Sequence, residues 1–182
     1  MITISYSDNL KDSFKILKFD EKSLSKVANN TKATGYGFIT LVIAGMLMSL
    51  GGLVASIISG SVMAGLMFLT GLIFSPINLI VSLFIVYSVY HFLAKFFFGG
   101  KATGIQYFRS LSNSFVIYWF AVIPFISVIA NIWLVVINIF ILHKVHKLPK
   151  GKAIILGLLP IILILLLVFL FLGSTGLLMT TS

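Results

Sequence analysis

Three histidines are the side chains in this sequence best suited to binding a metal ion. His143 and His146 are three residues apart, which places both on one face of a helix, and His91 lies near the end of another apolar run. Three imidazoles could bind Zn²⁺. However, there is no cysteine and no acidic residue follows Glu21, so no nearby carboxylate is available to orient the rings. We favour histidines that hydrogen-bond to lipid head groups or water, and we expect no metal and no cofactor.

Four asparagines form a second group of polar side chains, and they lie within apolar runs: Asn78, Asn113, Asn131 and Asn138. Asparagines in membrane helices commonly hydrogen-bond across to a neighbouring helix. The same four side chains could instead line a polar pocket or a path for a lipid or small solute. Both interpretations are open at this point.

The chemistry that these residues exclude is as informative as the chemistry that they allow. All four acidic residues lie at or before Glu21, whereas proton-coupled pumps, metal-dependent hydrolases and glycosidases rely on carboxylates in the site. The sequence shows no nucleophile–base pairing, no phosphate-binding loop and no dinucleotide fingerprint. We therefore predict that this protein is not an enzyme.

The elements that carry these residues are predicted to be membrane helices. Of the 182 residues, 59% are hydrophobic and 9% are charged, against about a quarter charged in soluble domains. A helix that crosses a bilayer needs about 20 apolar residues. The predicted spans are Tyr36–Ile58, Pro76–Phe97, Ile105–Ile123, Phe125–Val145 and Ala153–Gly173. The predicted fold is all-α: a polytopic membrane protein built as a five-transmembrane-helix bundle. Val62–Phe74 is too short to cross and is either a helix extension or a re-entrant or interfacial segment.

The positive charges predict the orientation of the five spans. Six lysines lie in the N-terminal segment, three basic residues follow span two and four follow span four, which accounts for all 13. Basic loops stay in the cytoplasm, so we predict a cytoplasmic N-terminus, in the cell membrane if the source is prokaryotic. Six basic residues beside the spans are predicted to engage anionic lipid or a protein partner: Lys101, Arg109, Lys144, Lys147, Lys150 and Lys152. Dispersed clusters of this kind do not form a nucleic-acid surface. Arg109 could also extend its side chain to the head groups.

Residues 1–34 are predicted to form a short cytoplasmic segment, followed by the transmembrane domain over 35–175 and a tail over 176–182. Leu10, Phe14 and Leu17 fall at helical spacing, which suits an amphipathic helix lying on the membrane or a short soluble helix packed on the loops. Asp20 is a predicted N-cap for a second short helix.

Two segments resemble the Ypt/Rab-interacting protein (Yip-domain) family. The first comprises His91-Phe92-Leu93-Ala94-Lys95, Phe98-Gly99-Gly100-Lys101-Ala102-Thr103 and Tyr107-Phe108-Arg109. The second is the basic, histidine-containing segment from Leu142 to Ala153. The resemblance implies five spans and a cytoplasmic N-terminus. It also implies a link to vesicle-mediated transport and, in eukaryotic members, to prenylated Rab-type GTPases, although the short N-terminal segment is more similar to bacterial and archaeal members.

These observations predict a membrane-organising or trafficking-related scaffold that engages lipid or protein partners at its basic cytoplasmic face. Gly52, Ser56 and Gly60 form a ridge of small residues along the first span. Such a ridge predicts close helix packing, either within the chain or between copies in a homo-oligomer. The alternative function is passive transport of a lipid or small solute along the asparagines.

Overall fold

Helices make up the regular secondary structure in the computed structural model, which describes residues 5–60, 64–123 and 126–163. In chain order they are α1 (Tyr6–Ile16), α2 (Glu21–Asn29), α3 (Ala33–Ile58), α4 (Ala64–Phe96), α5 (Gly104–Ser114), a 3₁₀-helix (Phe115–Phe120) and α6 (Ile126–Lys144). Residues 150–163 are also helical, and we call this helix α7. No strand occurs in these ranges, which confirms the all-α class for them.

Three of these helices are long and apolar enough to cross a membrane: Ala33–Ile58, Phe68–Phe96 and Ile126–Lys144. The outward face of α4 exposes large apolar side chains along its length, among them Leu69, Ile73, Phe74, Val81 and Ile85. An apolar surface of this extent is suited to lipid and not to water. The predicted spans one and four agree closely with α3 and α6, and predicted span two overlaps Phe68–Phe96. Three of the five predicted spans therefore contain a helix of this kind.

Predicted span three, Ile105–Ile123, differs from a single membrane helix. The segment forms the 11-residue α5, which continues into the six-residue 3₁₀-helix. Four polar side chains of this segment are buried within the protein, namely Ser110, Ser112, Asn113 and Ser114. A lipid-facing helix would carry apolar residues instead. Predicted span five, Ala153–Gly173, is described only as far as residue 163, where α7 is helical.

The predicted start of span two at Pro76 is wrong, because Pro76 lies inside α4. The helix continues through this proline, and α3 packs directly against it. A Cβ built on Gly45 of α3 would lie 2.5 Å from the Pro76 Cα atom. One turn along, Ser49 donates a hydrogen bond to the carbonyl of Phe68 (3.2 Å). The sequence left the role of Val62–Phe74 open. From Ala64 onward this segment belongs to α4.

The two N-terminal helices fold back on each other as a hairpin. Asp20 caps α2 as predicted, accepting a hydrogen bond from the Ser23 backbone N–H (2.7 Å). Asp12 lies buried between the helices, where it pairs with Lys26 (2.6 Å) and accepts from the Ser23 hydroxyl (3.2 Å). Phe19, in the turn, has a φ of 63°.

Helix α1 packs along the side of the bundle. Asn9 donates to the Asn113 side chain (2.7 Å), and Phe14 meets Trp119 edge to face, with ring centroids 6.4 Å apart. The indole N–H of Trp133 donates to the carbonyl of Leu17 (3.1 Å). The fully buried residues of α1 are mainly polar, so α1 docks on helices of the bundle through hydrogen bonds and aromatic contacts.

Candidate functional site

The ends of four helices meet at one end of the bundle, and six lysines lie there. The turn after α4 closes with a hydrogen bond from Gly100 N–H to the Ala94 carbonyl (2.7 Å), and the Lys101 N–H then donates to the His146 carbonyl (2.9 Å). We call this region the basic end. Its lysines are Lys95, Lys101, Lys144, Lys147, Lys150 and Lys152.

A pocket of about 420 Å³ opens at the basic end, between α2, the start of α5 and the end of α6. Lys101, Lys144 and Lys147 line it together with Glu21 and Gln106. The Lys144 ammonium pairs with the Glu21 carboxylate at 2.6 Å. Lys147 has a φ of 57°, so the chain turns through a left-handed conformation to place this residue at the pocket. The arrangement suits an anionic group that accepts hydrogen bonds.

The other three basic residues predicted for this face do not line the pocket. Arg109 is half-buried in α5, where Nε donates to the Thr34 hydroxyl (2.9 Å) and Nη1 donates to the Ala28 carbonyl (3.3 Å). Arg109 therefore joins α5 to α2 and α3. Lys150 and Lys152 are exposed in the first turn of α7 and do not line the pocket.

The structure brings two of the three histidines together and separates the third. His91 Nδ1 and His146 Nε2 are 3.4 Å apart, whereas His143 Nδ1 lies 2.7 Å from the Leu148 carbonyl. A carbonyl only accepts, so His143 donates from Nδ1. In the described residues no three side chains of ligating type are grouped for a metal ion.

His146 is fully buried, and burial lowers its pKa to about 4, with the nearby His91 and Lys95 acting in the same direction. Its ring meets that of Tyr107, with centroids 5.0 Å apart. A Cβ on Gly100 would lie 2.6 Å from His146 Nδ1. His146 is therefore a neutral packing residue at physiological pH, enclosed by the glycine turn.

Three of the four predicted asparagines line one cavity. Asn78, Asn131 and Asn138 contribute to a space of about 460 Å³ between α4 and α6. Asn113 lies outside it, because its side chain accepts from Asn9 and donates to the Ala33 carbonyl (2.9 Å). Asn113 thus joins α1, α3 and α5.

Sequence reasoning missed the tyrosines that pair with the asparagines. The Tyr107 hydroxyl donates to the side-chain Oδ1 of Asn138, and the Tyr118 hydroxyl donates to the side-chain Oδ1 of Asn131, both at 2.6 Å. Tyr90 donates to the Gly157 carbonyl of α7 (3.0 Å). A signal in the sequence could have indicated these pairs. A buried tyrosine hydroxyl needs a hydrogen-bond partner, and asparagines are among the few polar side chains in these apolar runs.

Comparison with known proteins places these features in a family. The family model of the Yip1 domain matches residues 16–172. This range includes the turn at Gly99-Gly100, the loop that carries His146 and the asparagines of the cavity. No curated protein and no solved structure matches the chain. The Yip1 family is a non-enzymatic family of membrane proteins, in agreement with the apolar α3, α4 and α6. The chain belongs to the Yip1 domain family, and it is an integral membrane protein.

Proposed function

We propose that this protein is a non-enzymatic membrane scaffold whose basic end faces the cytoplasm and binds anionic lipid head groups. The observation that carries the proposal is the pocket in which Lys101, Lys144 and Lys147 converge beside Gln106. Such a scaffold would organise lipids around itself, and an acidic surface of a partner protein would meet the same lysines. A role in membrane trafficking is in keeping with the family.

The surroundings of the pocket support binding at the level of the head groups. Phe92, Phe96 and Phe97 are more than half exposed at the end of α4, and exposed aromatic residues next to Lys95 suit a membrane–water interface. A basic residue at this level contributes about 1 kcal/mol toward an anionic leaflet. Glu21 neutralises one of the three lysines, so Lys101 and Lys147 supply most of the attraction in the pocket.

The orientation is part of the proposal. The chain turns at Ser59-Gly60 and at Ala121-Val122, opposite the basic end, and neither turn contains a charged residue. Positive charge is retained on the cytoplasmic side of membranes. Helix α5 with the 3₁₀-helix, and α7 with the residues that follow it, would then complete five crossings.

Native mass spectrometry of the purified chain with phosphatidylglycerol and phosphatidylcholine tests the pocket. Lys101→Gln combined with Lys147→Asn removes two charges, and asparagine tolerates the left-handed backbone of residue 147. We expect retained phosphatidylglycerol to fall about thirtyfold, since each lysine contributes about 1 kcal/mol. Lys150→Gln with Lys152→Gln removes the same charge outside the pocket and should lower retention by less than about threefold. Equal losses in both variants would mean that the lipid is attracted by the overall positive charge and not by the pocket. No loss in either variant would contradict lipid binding at the basic end.

Passive lipid or small-solute transport is a second candidate, which the cavity lined by Asn78, Asn131 and Asn138 favours. Its position between α4 and α6 would give a polar path inside the membrane. Reconstitution into liposomes and measurement of lipid exchange between leaflets tests it, because a transporter accelerates exchange and a scaffold does not.

A further inference from the structure

The cavity between α4 and α6 exists because of how these two helices pack. Both rest on α5, and α6 also contacts the 3₁₀-helix. The space between α4 and α6 is about 460 Å³. That volume is within the range of small-molecule sites, about 300–1,000 Å³. Helix α7 lies at one end of the cavity, where Tyr90 is hydrogen-bonded to the Gly157 carbonyl.

The lining is amphipathic. Amide and hydroxyl groups come from α4 on one side and from the 3₁₀-helix and α6 on the other, and between them the walls are leucine, valine and phenylalanine. The polar side chains of the lining are Asn78, Ser82, Tyr90, Tyr118, Asn131 and Asn138. A polar head group attached to an apolar chain would match this alternation.

The lining has no formal charge. None of the described residues around the cavity is Lys, Arg, His, Asp or Glu, and no charged side chain occurs in the sequence after Lys152. A phosphate or carboxylate in this cavity would lack a counter-charge, and an unpaired buried charge is strongly unfavourable. The ligand must therefore be uncharged.

The lining also favours a head group with hydroxyls. A hydroxyl donates one hydrogen bond and accepts two, so it can satisfy both amide N–H groups and tyrosine oxygens. The hydrogen bond from Tyr118 to Asn131 (2.6 Å) orients one such pair, and Ser82 donates to Asn78 (3.3 Å) on the other side.

We propose that this cavity binds an uncharged lipid with a hydroxylated head group, of the diacylglycerol class. The site is open on the side of α4, where Asn78, Ser82 and Val86 are exposed, so a lipid enters sideways from the bilayer. This goes beyond the proposed function, because binding here requires neither the lysines of the basic end nor transport.

Photolabelling of the full-length chain in phosphatidylcholine nanodiscs tests the proposal. The probes are a dioleoylglycerol with a diazirine in one acyl chain and the matching phosphatidic acid, which differ only in the phosphate. We expect the diacylglycerol to label α4 and α6 around Ser82 and Val135. Phosphatidic acid should label those positions at least about tenfold less, because its charge is unpaired there.

Two variants separate specific binding from partition into the bilayer. Asn78→Leu with Ser82→Ala removes two polar groups that partner each other and should lower diacylglycerol labelling about tenfold. Val135→Trp fills the cavity and should abolish it, whereas Val136→Trp, at an outward position 37% exposed, should not.

Labelling that is unchanged in Val135→Trp, or equal for the two probes, would overturn the proposal. The basic-end variant Lys101→Gln with Lys147→Asn should leave diacylglycerol labelling unchanged, so failure of the head-group site and failure of the cavity site give different results.

Discussion

Gly100 and His146 lie about 45 residues apart in the sequence, and their contact shows how single residues hold the basic end together. Gly99 has a φ of 74°, which a residue with a side chain rarely adopts. The turn then brings the Gly100 backbone against the His146 ring and the Ala94 carbonyl. The two family-like segments of the sequence are therefore the two sides of one contact, and that contact holds Lys101 and Lys147 at the pocket.

The buried imidazole of His146 gives the fold a predicted pH dependence. Its pKa is lowered from 6.5 to about 4, so between these values the unfolded chain binds the proton more readily. Stability should be unaffected by this group above pH 6.5 and should fall as the pH drops from 6.5 to 4, by up to about 3 kcal/mol.

Thermal unfolding in detergent at pH 7, 5.5 and 4.5 measures this dependence. His146→Leu should lower the midpoint at pH 7, because packing against Tyr107 changes, and should flatten the decline toward low pH. A decline as steep in the variant as in the parent protein would assign the effect to groups other than His146.

At the scale of elements, the α3–α4 hairpin depends on glycine at one position. A Cβ on Gly45 would lie 2.5 Å from both the Cα and the N atom of Pro76, and backbone cannot move aside as a flexible side chain can. Gly45→Ala should therefore destabilise the protein by about 1–3 kcal/mol.

Gly52→Ala is the matched control in the same helix, since nothing lies within 4 Å of its Cβ position. Alanine there should be neutral or stabilise α3 by about 0.5–1 kcal/mol. Thermal unfolding in one detergent compares the pair, and equal midpoints would mean that α3 and α4 are not packed as described.

Hydropathy was sufficient to predict α3 and α6, because both are uniformly apolar over 19 residues or more. It failed at Pro76, since the residue that packs against this proline is Gly45, 31 positions earlier in the sequence. It also treated Ile105–Ile123 as one span, because the partners of Arg109 and Asn113 lie on α1, α2 and α3, far away in the sequence. Tertiary contacts of this kind leave no local pattern. The grouping of Asn78, Asn131 and Asn138 was suggested by their rarity in apolar runs, whereas their tyrosine partners required the structure.

For the whole molecule, the absence of cysteine makes the topology directly measurable. Ser25→Cys marks the basic end, Ser59→Cys marks the turn after α3, and Ile123→Cys marks the end of the segment that begins with α5; all three positions are exposed. With five crossings and a cytoplasmic basic end, an impermeant maleimide on intact cells should label positions 59 and 123 but not 25.

Permeabilised cells provide the control, in which all three variants should react. Labelling of position 25 in intact cells would reverse the orientation. A position 123 that is protected together with position 25 would show that α5 and the 3₁₀-helix turn back without crossing.

The docking of α1 has a consequence for spectroscopy. The chain contains two tryptophans, and both contact the N-terminal segment: Trp119 meets Phe14, and Trp133 donates to the Leu17 carbonyl and packs on Phe19. Indole emission shifts with the polarity and hydrogen bonding of the ring's surroundings. The intrinsic fluorescence of the unmodified protein should therefore report whether its N-terminal hairpin is docked on the helix bundle or detached from it. No attached dye is needed.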